Sequence, residues 1–153
     1  TAGNSSGVND GAAAVIIANE KAIKENNLNP IARIVCASSS GVEPAYMGVG
    51  PISSTKKALK IGNLKIENID IIEINEAFAA QVLACTRGLG IQDEDERVNQ
   101  NGGAIALGHP LGMSGTRLVL TAAKQLEIKN EKYALCTMCV GVGQGTSIIL
   151  ERL

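Results

Sequence analysis

Two periods of apolar and polar positions run along this chain, one near two residues and one near three to four. Residues 1–11, TAGNSSGVNDG, follow neither and are rich in Gly, Asn, Ser and Asp, which predicts a loop. AAAVIIA (12–18) is a continuous small or β-branched run of strand length and predicts a buried strand. NEKAIKENN (19–27) predicts a short helix with a polar face, stopped by Asn29-Pro30. IARIVCASSSG (31–41) predicts a second strand, and residues 41–51 a loop. SSTKKALKIG (53–62) predicts a helix capped by Ser53 or Ser54 and ended by Gly62.

IDIIEIN (69–75) predicts a third strand. AFAAQVLACTRGLG (77–90) predicts a helix, because Phe78, Val82, Cys85 and Leu89 recur at spacings of 4, 3 and 4, with Gly88 or Gly90 at its end. QDEDERVNQN (92–101) is a charged connection. Residues 112–126 predict a further helix with Leu118, Ala122 and Leu126 on one face and Ser114 near its start. YALCTMCVGVG (133–143) and TSIILERL (146–153) predict two closing strands. Strands and helices alternating in this way predict an α/β layered domain with a partly parallel sheet.

Composition narrows this. The 153 residues suit one domain. With one Phe, two Tyr and no Trp, the core must be built from Ala, Val, Ile and Leu. A net charge of −1 gives no basic footprint for nucleic acid. No apolar run reaches the ~18 residues that span a bilayer, so no membrane partner is expected. No signal peptide is visible, so the expected location is the cytoplasm and Cys36, Cys85, Cys136 and Cys139 read as reduced thiols. The chain opens without an initiator Met, as the middle of a longer polypeptide would.

Three places carry candidate chemistry. In IIEINEAF, Asn75 stands where a buried strand hands over to a helix, and ligand sites in open α/β sheets gather outside the carboxyl ends of strands. Asn75 is equally suited to a plain helix N-cap. The second place is His109, the only histidine, set in GGAIALGHPLGMSG with Pro110 at or near the first position of the next helix. A helix N-terminus favours the neutral imidazole, which can take a proton from a thiol or polarise a carbonyl. A structural histidine packed at a loop fits the same residues, and nothing beside it makes a metal site.

The third place is CTMCVGVGQG. Cys136 and Cys139 have redox-dithiol spacing, but within a strand a spacing of three points them to opposite faces. Cys136 reads as a buried small apolar residue. Cys139 sits at a strand end before Gly141, Gly143 and Gly145. Those glycines match a dinucleotide fingerprint only weakly, since no helix or suitably placed acidic residue follows.

Taken together, TAGNSSGVNDGAAAV, NEAFAAQ, NGGAIALGHPLGMSGTR and CVGVGQG resemble the C-terminal half of a thiolase over nearly the whole chain, 1–153, and most nearly an acetyl-CoA acetyltransferase. The fold implied is a thiolase-like C-terminal domain, a five-stranded mixed sheet with helices on both faces and an antiparallel last strand. The reaction implied is a reversible Claisen condensation in which two acetyl-CoA give acetoacetyl-CoA and CoA. Coenzyme A thioesters enter as substrates, without further cofactor, and fatty acid metabolism is the implied setting.

By the same resemblance, His109 activates a nucleophilic cysteine and helps form an oxyanion hole, and Asn75 holds the water that completes it. Cys139 is the second acid/base, and the Gly141 N–H serves the other oxyanion hole. Ala2, Ser6 and Gly7 would lie along the pantetheine arm, with Ala77 and Phe78 lining the same tunnel. No cysteine here sits in the context of the family's nucleophile, which lies in the N-terminal half. The expectation is a fragment inactive alone, whose partners are acyl-CoA, the missing N-terminal half and a further copy in a homo-oligomer. A non-catalytic acyl-CoA- or lipid-binding module is the alternative, and a redox dithiol protein a third reading that the strand geometry disfavours.

Overall fold

A computed structural model describes all 153 residues. The elements that build the domain are α1 (Glu20–Glu25), β1 (Ala32–Gly41), α2 (Gly50–Ile61), β2 (Ile71–Ile74), α3 (Ala79–Gly88), α4 (Ala104–Leu107), α5 (Ser114–Lys129), β3 (Tyr133–Val140) and β4 (Gln144–Arg152). The sheet order is β1-β4-β3-β2. β2 and β3 are parallel, whereas β4 is antiparallel to both β3 and β1, so the sheet is mixed as expected.

Helices cover both faces. On one, Leu118, Ala122 and Leu126 of α5 pack with Ile71, Ala134, Cys136 and Leu150. On the other, Ala58 and Leu59 of α2 pack with Ile72, Leu135 and Ile149. Burying each of these larger side chains is worth roughly 1.5–3 kcal/mol. The predicted stripe on α5 therefore is the core stripe. β2 lies at a sheet edge but is fully buried, because residues 97–99 run along its free side: Ile72 N–H donates to Arg97 O and Asn99 N–H to Ile72 O. Covering an edge in this way removes its unpaired backbone groups.

The sheet has four strands where the sequence predicts five. AAAVIIA is β-branched as a strand should be, yet residues 10–18 make no backbone hydrogen bond. A strand needs a neighbour to take its N–H and C=O groups, and no segment of this chain pairs with it. Ile16 and Ile17 are consequently 88% and 78% exposed.

Three helix starts also differ. α2 begins at Gly50, with Pro51 in its first turn, so neither Ser53 nor Ser54 is a cap; Ser54 is buried and its hydroxyl meets that of Ser147 at 2.7 Å. α3 begins at Ala79, because residues 77 and 78 are held in extended pairing with residues 4–6. α5 begins at Ser114 and not at Pro110: a turn intervenes, in which the Met113 and Ser114 N–H groups both donate to Pro110 O.

Candidate active site

Asn75 follows β2 directly. Its N–H donates to Thr137 O on β3 at 3.0 Å, continuing the parallel ladder one step past the strand. It does not cap α3, whose cap position is Phe78. Its side chain is completely buried, with Nδ2 3.3 Å from His109 Nε2 and Oδ1 without a protein partner. A buried amide is expected to be fully hydrogen-bonded, so Asn75 Oδ1 is free to accept from a donor outside the chain.

The segment that carries His109 is tied to the same strand end. The Asn99 amide bonds the backbone of Ile74 twice, accepting from its N–H and donating to its O, both at 2.9 Å. Asn99 Nδ2 also reaches Glu76 Oε1 at 2.8 Å, and Glu76 Oε2 accepts from Ile105 N–H at the start of α4 at 3.0 Å. This clamp presses residues 99–105 onto the strand end, and four residues beyond it His109 meets Asn75. The far side of His109 is fixed by Asn9, whose Oδ1 accepts its N–H at 3.0 Å.

The imidazole has two polar neighbours: Asn75 at Nε2 and the Ser114 hydroxyl at Nδ1, the latter at 2.5 Å. Burial, and secondarily the charge of Arg117, push the His109 pKa below its ordinary value. The neutral ring expected from sequence is thus favoured, although mainly by desolvation.

Cys139 stands near the carboxyl end of β3, the strand beside β2, opposite Gly145 of β4. It is buried, and burial pushes its thiol up from the ordinary value, a backbone hydrogen bond pulling the other way. Cys136 belongs to the α5-side cluster. Cys139, three positions further along β3, lies on the other face of the sheet, and burial pushes the Cys85 pKa up to about 11. All four cysteines are free. No side-chain hydrogen bond links Cys139 to His109 or Asn75. Gly141 follows in the exposed β3–β4 turn, where Val142 holds φ +60°, an unusual conformation for a β-branched residue.

Ser6, Ala77 and Phe78 come together. Ser6 N–H and Oγ both donate to Ala77 O, Ser5 pairs with Phe78, and Ala79 N–H donates to Asn4 O. From there Gly7 leads to Val8, which forms a bridge with His109. Ala2 is exposed in the opening turn, away from these contacts. The sequence motifs include Glu76 without a role for it, and they do not point to Asn9, Asn99 or Ser114 as parts of the site. The offset of five from His109 to Ser114, at a helix start, was the one local signal available. No group of three or more His, Cys, Asp or Glu side chains gathers to hold a metal. No helix is long and apolar enough to cross a membrane.

The fold is that of solved thiolases. It matches human mitochondrial 3-ketoacyl-CoA thiolase with a TM-score of 0.96 and 48% identity, covering 99% of this chain and 38% of that one. It matches the Bacillus anthracis acetyl-CoA acetyltransferase with a TM-score of 0.96 and 41% identity, over 100% and 38%. The family model for the thiolase C-terminal domain matches residues 28–152, and the chain belongs to the thiolase family. Among curated relatives it is 59% identical to the beta-ketoadipyl-CoA thiolase of Acinetobacter baylyi and 50% identical to the acetyl-CoA acetyltransferase of Escherichia coli. It aligns along its whole length and spans 38% of theirs. The unpaired strand-like run 12–18 lies ahead of the matched domain.

Proposed function

We propose that this chain supplies the acid/base side of a thiolase active site, acting on acyl-CoA thioesters by reversible Claisen condensation. The observation that carries the reading is the contact of His109 with Asn75 at the end of β2, beside the end of β3 where Cys139 stands. A neutral imidazole can take the proton of a nucleophilic thiol, and a buried amide can hold the donor that stabilises a thioester oxyanion. That nucleophile is supplied by the N-terminal half that the relatives possess.

Burial keeps Cys139 in its thiol form, which is the form thiolysis needs. As the C–C bond of a 3-ketoacyl-CoA breaks, the electron pair passes to the α-carbon of the departing acyl-CoA. The Cys139 S–H then gives its proton to that carbon. Proton transfer back from incoming CoA–SH regenerates the thiol and frees the CoA thiolate to attack the acyl-enzyme. In condensation the same steps run in reverse. Ala2, Ser6, Gly7, Ala77 and Phe78 serve the pantetheine arm, and the Gly141 N–H donates to the second oxyanion. The exposed run Val15–Ile17 fits burial against the N-terminal half and a further copy in a homo-oligomer.

Acetyl-CoA and acetoacetyl-CoA are the substrates that the sequence motifs favour. A second reading, a 3-ketoacyl-CoA with a terminal carboxylate, is favoured by the greater identity to beta-ketoadipyl-CoA thiolases. The test is co-expression with the N-terminal half of the Acinetobacter relative, followed by thiolysis of acetoacetyl-CoA and 3-oxoadipyl-CoA. Turnover should appear only in the complex. His109→Ala should abolish radiolabelled acylation of the partner cysteine, whereas Cys139→Ser should leave acylation and block condensation. If Cys139→Ser prevents acylation as fully as His109→Ala, the division of roles is wrong. Tight acyl-CoA binding without turnover in a folded complex would instead favour a binding module.

A further inference from the structure

The two neighbours of the His109 ring define its protons. A serine hydroxyl has one proton to give. Ser114 Oγ lies 3.0 Å from Pro110 O, one turn back, and a proton given to that carbonyl leaves the hydroxyl an acceptor toward His109 Nδ1, at 2.5 Å. At the other end of the ring, Asn75 Nδ2 lies 3.3 Å from Nε2, and an amide NH2 group only donates. Both neighbours therefore require a proton on Nδ1 and a lone pair on Nε2.

The opposite tautomer would need the Ser114 proton turned from Pro110 O to Nδ1, and it fails at the other end of the ring. It would set Nε2–H against the Asn75 NH2, donor facing donor. Turning the Asn75 amide over would cure that contact but would place the NH2 where Oδ1 now lies, buried and without an acceptor in the chain. Buried unpaired N–H groups are rarer than under-satisfied carbonyl oxygens.

We infer that Ser114 is a positioning residue that locks His109 as the Nδ1–H tautomer and so makes Nε2, beside Asn75, the basic nitrogen. The functional consequence rests on the proposed role of His109 as the base, but the tautomer itself does not. Ser114 suits the task because it opens α5: its side chain turns back to Pro110 O within the turn that separates His109 from the helix. The ring thus cannot rotate without losing the Ser114 bond, the Asn75 bond, or both.

His109 is the only histidine, so its ring nitrogens can be read without assignment. The test is long-range 1H–15N correlation on histidine-labelled chain at about pH 8, where the ring is neutral. The expected wild-type spectrum has a protonated-type Nδ1 and an unprotonated-type Nε2. Ser114→Ala should convert this to a mixture of tautomers, and Ser114→Thr, which keeps the hydroxyl, should restore it. A wild-type spectrum with Nε2 protonated overturns the inference. So does a Ser114→Ala spectrum unchanged from wild type, including the case in which both resemble free histidine. In the reconstituted complex, Ser114→Ala should slow acylation on the order of 10²-fold, the low end of general-base effects, with acyl-CoA affinity unchanged. A complex without turnover would refute the catalytic reading and leave the tautomer result standing.

Discussion

Arg117 reaches from the second turn of α5 to the Glu73 carboxylate in the middle of β2, with Nη1 3.2 Å from Oε2. Glu73 is completely out of water, and its other oxygen accepts from Gln125 Nε2 at 2.7 Å. The pair joins the helix that begins with Ser114 to the strand that Asn75 follows, so it holds the two neighbours of His109 at a fixed separation. Arg117→Ala leaves a buried carboxylate without its cation and should cost about 3–5 kcal/mol in urea unfolding. The double change Glu73→Gln with Arg117→Met, which removes both charges, should recover most of that loss. A double variant as unstable as Arg117→Ala would show that the bond geometry, not the charge pairing, matters.

His109 should make the domain acid-sensitive. Its pKa is lowered in the folded state, chiefly by burial. Below about pH 6.5 the unfolded ring takes a proton that the folded ring resists, so stability falls as pH falls through that window. Glu73, whose carboxyl is raised by burial, works in the opposite sense, since its contribution is lost as pH rises. Both wild type and a His109→Gln variant contain Glu73, so their difference isolates the histidine. Thermal unfolding between pH 7 and 5.5 should show a larger fall for wild type; parallel curves would refute this.

Two glycines should differ sharply in their tolerance of a side chain. A Cβ on Gly145 of β4 would overlap the Gly50 carbonyl where α2 starts, and backbone meeting backbone has no flexible atom to yield. Gly112 has nothing within 4 Å. Gly145→Ala should cost more than about 2 kcal/mol and Gly112→Ala stay within about 0.5 kcal/mol. Chemical denaturation of the two variants decides it.

Cys136 and Cys139 should not form a disulfide on exposure to diamide. Cys136 packs in the cluster of Leu118 and Ala122 of α5, and Cys139, three positions further along β3, points to the other face, so the sheet lies between their sulfur atoms. Thiol titration after oxidant should still count both in the unfolded chain. Loss of one pair mapped to these residues by mass spectrometry would refute the strand geometry.

Much of this was legible in the sequence, for identifiable reasons. The four observed strands and the α5 stripe follow from periodicity, because each buries its apolar face within the chain. AAAVIIA carries an equally good strand signal and fails because pairing is a property of two segments, one of which this chain lacks. Pro110 suits a helix start, yet its carbonyl closes a turn first and the helix waits for Ser114. Asn75 reads locally as a cap; the thiolase resemblance sets it at one oxyanion hole with His109, and the fold brings the two side chains to 3.3 Å across 34 positions. Glu76 and Asn99 are ordinary polar residues in sequence; their clamp exists because two loops cross the same strand end.

β4 is the last strand in sequence but an interior one in space, lying between β1 and β3. β1 and β3 share no hydrogen bond, so β1 has no strand partner until residues 144–152 arrive and is held only through α2, by bonds such as Ser38 Oγ to Ser54 O. During synthesis at the ribosome, a chain stopped anywhere before residue 144 carries β1 and α2 as a pair with no strand between them and β3, and the α2 side of the core is open. The final nine strand residues thus act as a keystone, and the exposed intermediate that precedes them is the species most in need of a chaperone.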